Sequence, residues 1–346
     1  MSTSVAEAVI APQTTRIPAL DFTKGALVLL MVLYHWINYF IGPQWEYYFY
    51  LRFLTPSFIF ITGFLVSNVY LAKYTATDPR LAKRLFTRGF KLLLIFLSLN
   101  ILRLFIAPVL GSAALVRTSF SASDYFSVFV SGNLPVVGSK LASFSILVPI
   151  SYLLMFSGIL MVPYRKYKYT FHFVCAFLIL CVLVLGLNGE RSYNLEFLTI
   201  GMLGVVTGFL PTTTINSVIR HPFMLVAAYV CYDIAITIWN VPFPLLVVGV
   251  FLSVMAIYVI GNLGSKSGIV KSQVILLGKY SLFGYIVQIA ILQLLRAGFR
   301  LVDYGVWVLV TSLIAAFILT LVSVQLVDRA RARNARVDTL YRAVFA

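Results

Sequence analysis

An all-α, polytopic membrane bundle of about ten transmembrane helices, with both termini cytoplasmic, is the fold class that this sequence predicts. Three observations predict it. The chain of 346 residues is 61% hydrophobic and only 11% charged, with a mean hydropathy of +0.96, outside the range of soluble domains. Continuous apolar runs recur from residue 25 to residue 327, where a β-barrel would alternate in short segments. The 27 Lys and Arg are also unevenly shared between the loops.

Ten spans are expected at roughly 25–41, 49–72, 86–107, 143–162, 170–187, 195–210, 222–240, 243–262, 274–297 and 304–327. With the N-terminus inside, 20 of the 27 Lys and Arg lie on the inner side, which sets the orientation. The chain then divides into a cytoplasmic N-terminal segment (1–24), a membrane domain (25–327) and a basic cytoplasmic tail (328–346). No cleavable signal peptide is expected, because the residues up to Thr15 lack a basic n-region. The long outer loop, 108–142, is rich in small polar residues, and Asp124–Val130 fits a short interfacial segment. Whether that loop covers an outward-facing site or merely connects is open at this level. The tail DRARARNARVDTLYR reads as a basic helix-like extension suited to anionic lipid.

The net charge of +16 does not indicate nucleic acid, since the basic residues sit in short loops between spans. Cys175, Cys181 and Cys231 all lie in apolar runs, at spacings that fit neither a metal site nor a disulfide framework. No metal is expected.

The informative stretch is Arg16–Trp36. A polar lip holding Asp21 and Lys24 turns apolar at Gly25, and His35 follows inside the apolar run. Eleven residues of helix rise about 16 Å, which places His35 near mid-membrane if Lys24 marks the surface. An ionisable group at that depth points to function. Between the second and third spans, Arg80, Arg84, Arg88 and Lys91 line one helical face. Arg80 and Lys83 read as positive-inside anchors. Arg88 and Lys91 run into the apolar part of the span and want an anion, for which a phosphate-bearing ligand is suited. Thr62-Gly63, Asn100, Arg103, Tyr285, Gln288, Glu196 and Asp233 are further polar groups within or beside spans. Taken singly, each serves interhelical packing; taken with His35, they point to a polar cavity. His172 and His221 read as interfacial.

These residues resemble the acyltransferase-3 family of integral-membrane acyltransferases. The first span matches its pattern at Leu20, Asp21, Lys24, Gly25 and His35. Ile61-Thr62-Gly63-Phe64 is similar to its serine-glycine-phenylalanine, and Arg84, Arg88 and Lys91 to its paired arginines. Gly278, Ser281 and Tyr285 are similar to its late motif. Lysine replaces arginine at Lys24, threonine replaces serine at Thr62, and Gln288 stands where many members have histidine, so Gln288 cannot carry a proton. The resemblance implies transfer of an acetyl or succinyl group from cytoplasmic acyl-coenzyme A to a hydroxyl of an extracytoplasmic glycan or lipid-linked sugar, in a bacterial inner membrane. It implies a catalytic set of His35, Asp21 and Thr62. Lys24, Arg84, Arg88 and Lys91 would hold the coenzyme A phosphates. Direct transfer, with His35 as neutral base, and an acyl-histidine relay both remain open. A transporter or flippase of a small anionic or lipid-linked substrate is the alternative. It fits the spans, but it usually brings interrupted helices and midplane carboxylates, and here only Asp233 is deep.

Overall fold

In a computed structural model the protein is described over residues 17–42, 50–71, 78–109, 122–132, 144–211, 221–239, 243–263, 268–299 and 305–345, with Tyr74, Thr214 and Ser217 besides. Every regular element among them is helical. The order is α1 (Pro18–Trp36), α2 (Leu54–Leu65), α3 (Pro79–Val109), α4 (Ala122–Val130), α5 (Leu147–Tyr164), α6 (Thr170–Leu187) and α7 (Tyr193–Thr207). Then come α8 (Pro222–Ile238), α9 (Phe243–Asn262), α10 (Ile269–Lys279), α11 (Ser281–Gly298), α12 (Val306–Arg333) and α13 (Ala335–Phe345). The two central helices run on as π-helical turns, α1 over Ile37–Ile41 and α2 over Val66–Leu71.

Among the described residues, eight helices are long and apolar enough to cross a membrane. The expected sixth and seventh spans, α7 and α8, are apolar but only 15 and 17 residues long. At 1.5 Å per residue, α7 reaches about 22 Å, short of a hydrocarbon core of about 30 Å. Its start is fixed by Ser192, whose hydroxyl accepts from Leu195 N–H. The expected ninth span is divided: α10 stops at Lys279 and α11 begins at Ser281. The apolar faces point outward, as lipid-facing faces do. On α6, Phe173, Phe177, Leu180 and Leu187 are all more than half exposed.

Helices pack here through small residues, because lipid is as apolar as leucine and only close contact gains energy. A Cβ on Gly25 of α1 would lie 1.9 Å from the Val274 carbonyl oxygen of α10, and one on Gly278 would lie 1.7 Å from the Asp21 carbonyl oxygen. The same reciprocity joins α2 to α7. Gly63 faces the Gly201 carbonyl at 1.9 Å, and Gly204 faces the Phe60 carbonyl at 2.1 Å. α3 lies along α5 through Gly89 and Gly158. α1 therefore gathers α9, α10, α11 and α12 around it, while α2 gathers α5 and α7, and α1 also packs against α2. Several hydroxyls inside the spans are satisfied on their own helices: Thr23, Ser57, Thr62 and Thr320 each donate to the carbonyl four residues back, at 2.6–2.8 Å.

A short helix, α4, stands where an interfacial segment is expected at Asp124–Val130. It docks by Asn194, whose amide donates to the carbonyls of Val128 (2.8 Å) and Phe129 (3.0 Å), and by the Tyr152 hydroxyl, which donates to Phe129 (2.9 Å). The remainder of the 108–142 loop, from 110 to 121 and from 133 on, lies outside the described residues, as do residues 1–16 and the Arg103 side chain. The helical boundaries overrun the apolar ones: α1 starts at Pro18, and α12 runs to Arg333.

Candidate functional site

Between the α1 group and the α2 group lies a cavity of about 260 Å³. Lys24 of α1, Thr62 of α2, and Arg88 and Lys91 of α3 share its wall, so the structure brings together four of the residues singled out in the sequence. Lys24 is held by Asp21 one turn earlier, with Nζ 2.6 Å from the carboxylate. Asp21 is buried in the first turn of α1, where the helix dipole favours its charge. Arg88 lies over the Tyr70 ring at 5.6 Å, and no carboxylate among the described residues pairs with it. Thr62 Oγ1 donates to the Phe58 carbonyl at 2.7 Å, which leaves its lone pairs for the cavity.

Three of the expected residues stand apart from the wall: Asp21, one turn before Lys24, and Arg84 and His35. Arg84 is exposed, donates to the Tyr74 hydroxyl and lies 5.8 Å over the Tyr74 ring. It is one turn before Arg88, and that turn, about 6 Å of rise, carries it past the cavity. His35 is separated from the cavity by one side chain, Tyr285, whose ring is 6.4 Å from the imidazole and which itself lines the cavity. The Tyr285 ring is flanked further by Phe58 (6.4 Å) and Phe144 (5.8 Å). Phe144 holds φ at 72°, a left-handed conformation that costs a non-glycine residue about 1–2 kcal/mol. The residue that holds this conformation is the one whose ring meets Tyr285 edge-on.

The cavity also has walls that the sequence did not single out. Lys279 adds a fourth cation, placed there because the chain breaks between α10 and α11. The C-terminal helix supplies Tyr341, Val344 and Phe345. It folds back onto the bundle: Tyr341 packs on Tyr280 (ring centroids 5.4 Å) and Phe345 on Phe283 (5.9 Å). The hinge is tied by Asp338, which lies 2.6 Å from Arg331 and 2.7 Å from Arg342, while Arg331 sits 4.1 Å over the Tyr341 ring. A signal for this was present in the apolar residues Val337, Tyr341, Val344 and Phe345, which recur at helical spacing in an otherwise basic tail.

The Arg331 hydrogen bond, with Arg342 beside it, holds the Asp338 carboxyl below its ordinary value of 3.8, and burial pushes the Tyr341 hydroxyl up to about 12. A lowered carboxylate value means that the tie is fully present above the ordinary value and is lost as pH falls through the lowered one. Asp338→Asn should therefore loosen α13 at neutral pH as acid does in the wild type. Amide exchange over 335–345 should become several-fold faster while α1–α12 keep their protection. Unchanged exchange in the variant would remove Asp338 as the tie.

The other polar groups are placed elsewhere. Glu196 is buried at the start of α7 and pairs with Arg191 at 3.4 Å; Asp233 lies on α8, away from the cavity; Asn100 donates to the Phe96 carbonyl. His172 and His221 are exposed. No protein-family model, no curated protein and no solved structure matches this chain.

Proposed function

We propose that this protein is an integral-membrane acyltransferase of the acyltransferase-3 type. It moves an acetyl or succinyl group from acyl-coenzyme A to a hydroxyl of an extracytoplasmic glycan or lipid-linked sugar. The observation that carries the reading is the convergence of Lys24, Arg88, Lys91 and Lys279 on one cavity whose inner wall, Tyr285, touches His35. Four cations gathered at one mouth suit a polyanion, and guanidinium and ammonium groups suit phosphate. The cavity's 260 Å³ lies just below the range for drug-sized ligands, about 300–1,000 Å³. It is sized for the slender thioester arm, with the phosphates held at the mouth by the basic residues.

In this reading the basic end, with both termini, faces the cytoplasm of a bacterial inner membrane, and α7 and α8 complete a set of ten spans. The hydroxyl oxygen attacks the thioester carbonyl carbon and its proton passes to the imidazole of His35. The carbon–sulfur bond breaks, and the thiolate leaves and takes the proton, so that an ester and free coenzyme A are formed. Asp21 keeps Lys24 extended toward the cavity, and Thr62 offers its oxygen to the wall the arm passes.

The test is binding of acetyl-coenzyme A to purified protein, read as a rise in apparent Tm, since a ligand at 100 times its Kd adds about 2.7 kcal/mol. Wild type should be stabilised. Arg88→Ala should raise the apparent Kd by about tenfold or more, the loss of one charge-assisted hydrogen bond. No stabilisation of wild type would remove the acyltransferase reading in favour of a transporter.

A further inference from the structure

Among the described residues, the last helix, α13, is the one wall of the basic cavity that stands outside the spans. The other lining residues belong to α1, α2, α3, α5, α10 and α11 or to their ends. Its contribution is three side-chain tips, Tyr341, Val344 and Phe345. They sit beside Lys279, because Tyr341 meets Tyr280 and Phe345 meets Phe283. No residue of α13 is buried, and Leu340 is 67% exposed. The helix is also built as a separate unit. Asn334 alone divides it from α12, in an extended conformation (φ −135°, ψ 112°). The Asn334 side-chain oxygen accepts from the Arg336 N–H at 2.9 Å, and its carbonyl accepts from the Asp338 N–H at 3.1 Å. α13 therefore carries its own N-terminal cap and keeps it wherever the helix lies.

An element with so little buried surface sits at the low end of local stability and opens before the spans do. What holds it is polar and accessible. Asp338 joins Arg331 of α12 to Arg342 of α13, and the Arg342 side chain is 68% exposed. Ion pairs in contact with water hold weakly. No acidic side chain lines the cavity, so α13 covers the four cations without neutralising them. Their pull on an anion outside persists while the mouth is shut. The opened helix also has a place to rest. Val337, Leu340, Tyr341, Val344 and Phe345 recur at helical spacing beside Arg336 and Arg342, a pattern suited to lying on a membrane surface. Closed on the cavity or laid on the bilayer, α13 keeps its rings covered, which gives the hinge two resting states.

We propose that α13 is a hinged lid, which turns about Asn334 from the basic cavity onto the membrane surface to admit a polyanion. Asp338 is its latch, and Tyr341 and Phe345 are the tips that bar the mouth. The lid goes beyond the transfer reading and does not rest on it, since any polyanion drawn by these cations has the same mouth to pass.

The experiment measures access to the cavity in full-length protein in nanodiscs. Thr62→Cys, a near-isosteric change on the cavity wall, is reacted with 2-sulfonatoethyl methanethiosulfonate, a small anionic thiol reagent. The chain without the added cysteine serves as the blank. Three backgrounds are compared: wild type; Asp338→Asn, which releases the latch; and Tyr341→Ala with Phe345→Ala, which removes the tips. Modification should be slow in the first and several-fold faster in the other two. Tyr167→Cys, exposed and outside the cavity, should react at one rate in all three. One rate for Thr62→Cys in every background would overturn the lid, as would an equal acceleration at Tyr167→Cys, which would trace the effect to a loosened bundle. Acceleration by tip removal alone would make α13 a fixed wall, and acceleration by Asp338→Asn alone would show that the tips do not bar the mouth; either overturns the proposal. Acetyl-coenzyme A binding, followed in the same samples, decides the transfer reading separately, and its absence would leave the rate differences standing.

Discussion

Gly278→Ala is expected to destabilise the bundle by about 2–3 kcal/mol, although alanine is the better helix former by up to about 1 kcal/mol. The added Cβ would stand 1.7 Å from the Asp21 carbonyl oxygen and 3.0 Å from the Gly25 amide nitrogen. Both are backbone atoms, so no rotamer change relieves the clash, and α1 and α10 must separate. Separation has a functional consequence as well. Lys24 sits one residue before Gly25, and Lys279 one residue after Gly278, so both cations at the cavity mouth move with the helices. Donor affinity should fall together with stability. Gly186→Ala is the control, because a Cβ there meets nothing within 4 Å; it should match or exceed the wild type in stability. Equal Tm values for the two variants would show that α1 and α10 do not approach this closely.

What the sequence made legible follows from spacing along single helices. The first helix, the Asp21–Lys24 pair one turn apart and the row at Arg84, Arg88 and Lys91 all depend on 3.6-residue periodicity, which survives folding. Elements that depend on contacts between distant segments were not. The break between α10 and α11 falls at Lys279-Tyr280-Ser281, with no proline and with its glycine already in the helix. Nothing local ends α10; Gly278 is committed to the Asp21 backbone, and Tyr280 is committed to the end of α12, its hydroxyl donating to Asp328 at 2.7 Å.

The site divides in the same way. Lys24, Thr62, Arg88 and Lys91 were found because unusual residue types stand in apolar runs, where a polar group is costly. Lys279 and the aromatic face of α13 were missed, because charged and aromatic residues at a membrane boundary are ordinary. Arg84 fits the face but not the depth, a coordinate that angular periodicity does not supply. Phe144 carries no sequence mark at all, since a left-handed backbone at a residue other than glycine is imposed by its surroundings.

His35→Ala should reduce acyl transfer by about 10²–10⁴-fold while leaving acetyl-coenzyme A binding close to wild type. The two effects separate because the imidazole and the cations occupy different compartments. The ring stands behind Tyr285 and takes no part in the basic mouth. The fold should tolerate the change better than a typical core truncation. Nε2 makes no hydrogen bond to the described residues that could be lost, and the cost is the ring's packing on Tyr34 (5.2 Å) and Tyr285 (6.4 Å). His35→Gln distinguishes chemistry from packing. It keeps a polar group of similar reach that cannot accept the hydroxyl proton, so it should restore stability and not turnover. Turnover retained in His35→Gln would remove the imidazole as base. Turnover lost together with donor binding in both variants would instead make His35 a support for Tyr285 and the cavity wall, and the proton acceptor would have to be sought among the groups that line the cavity itself.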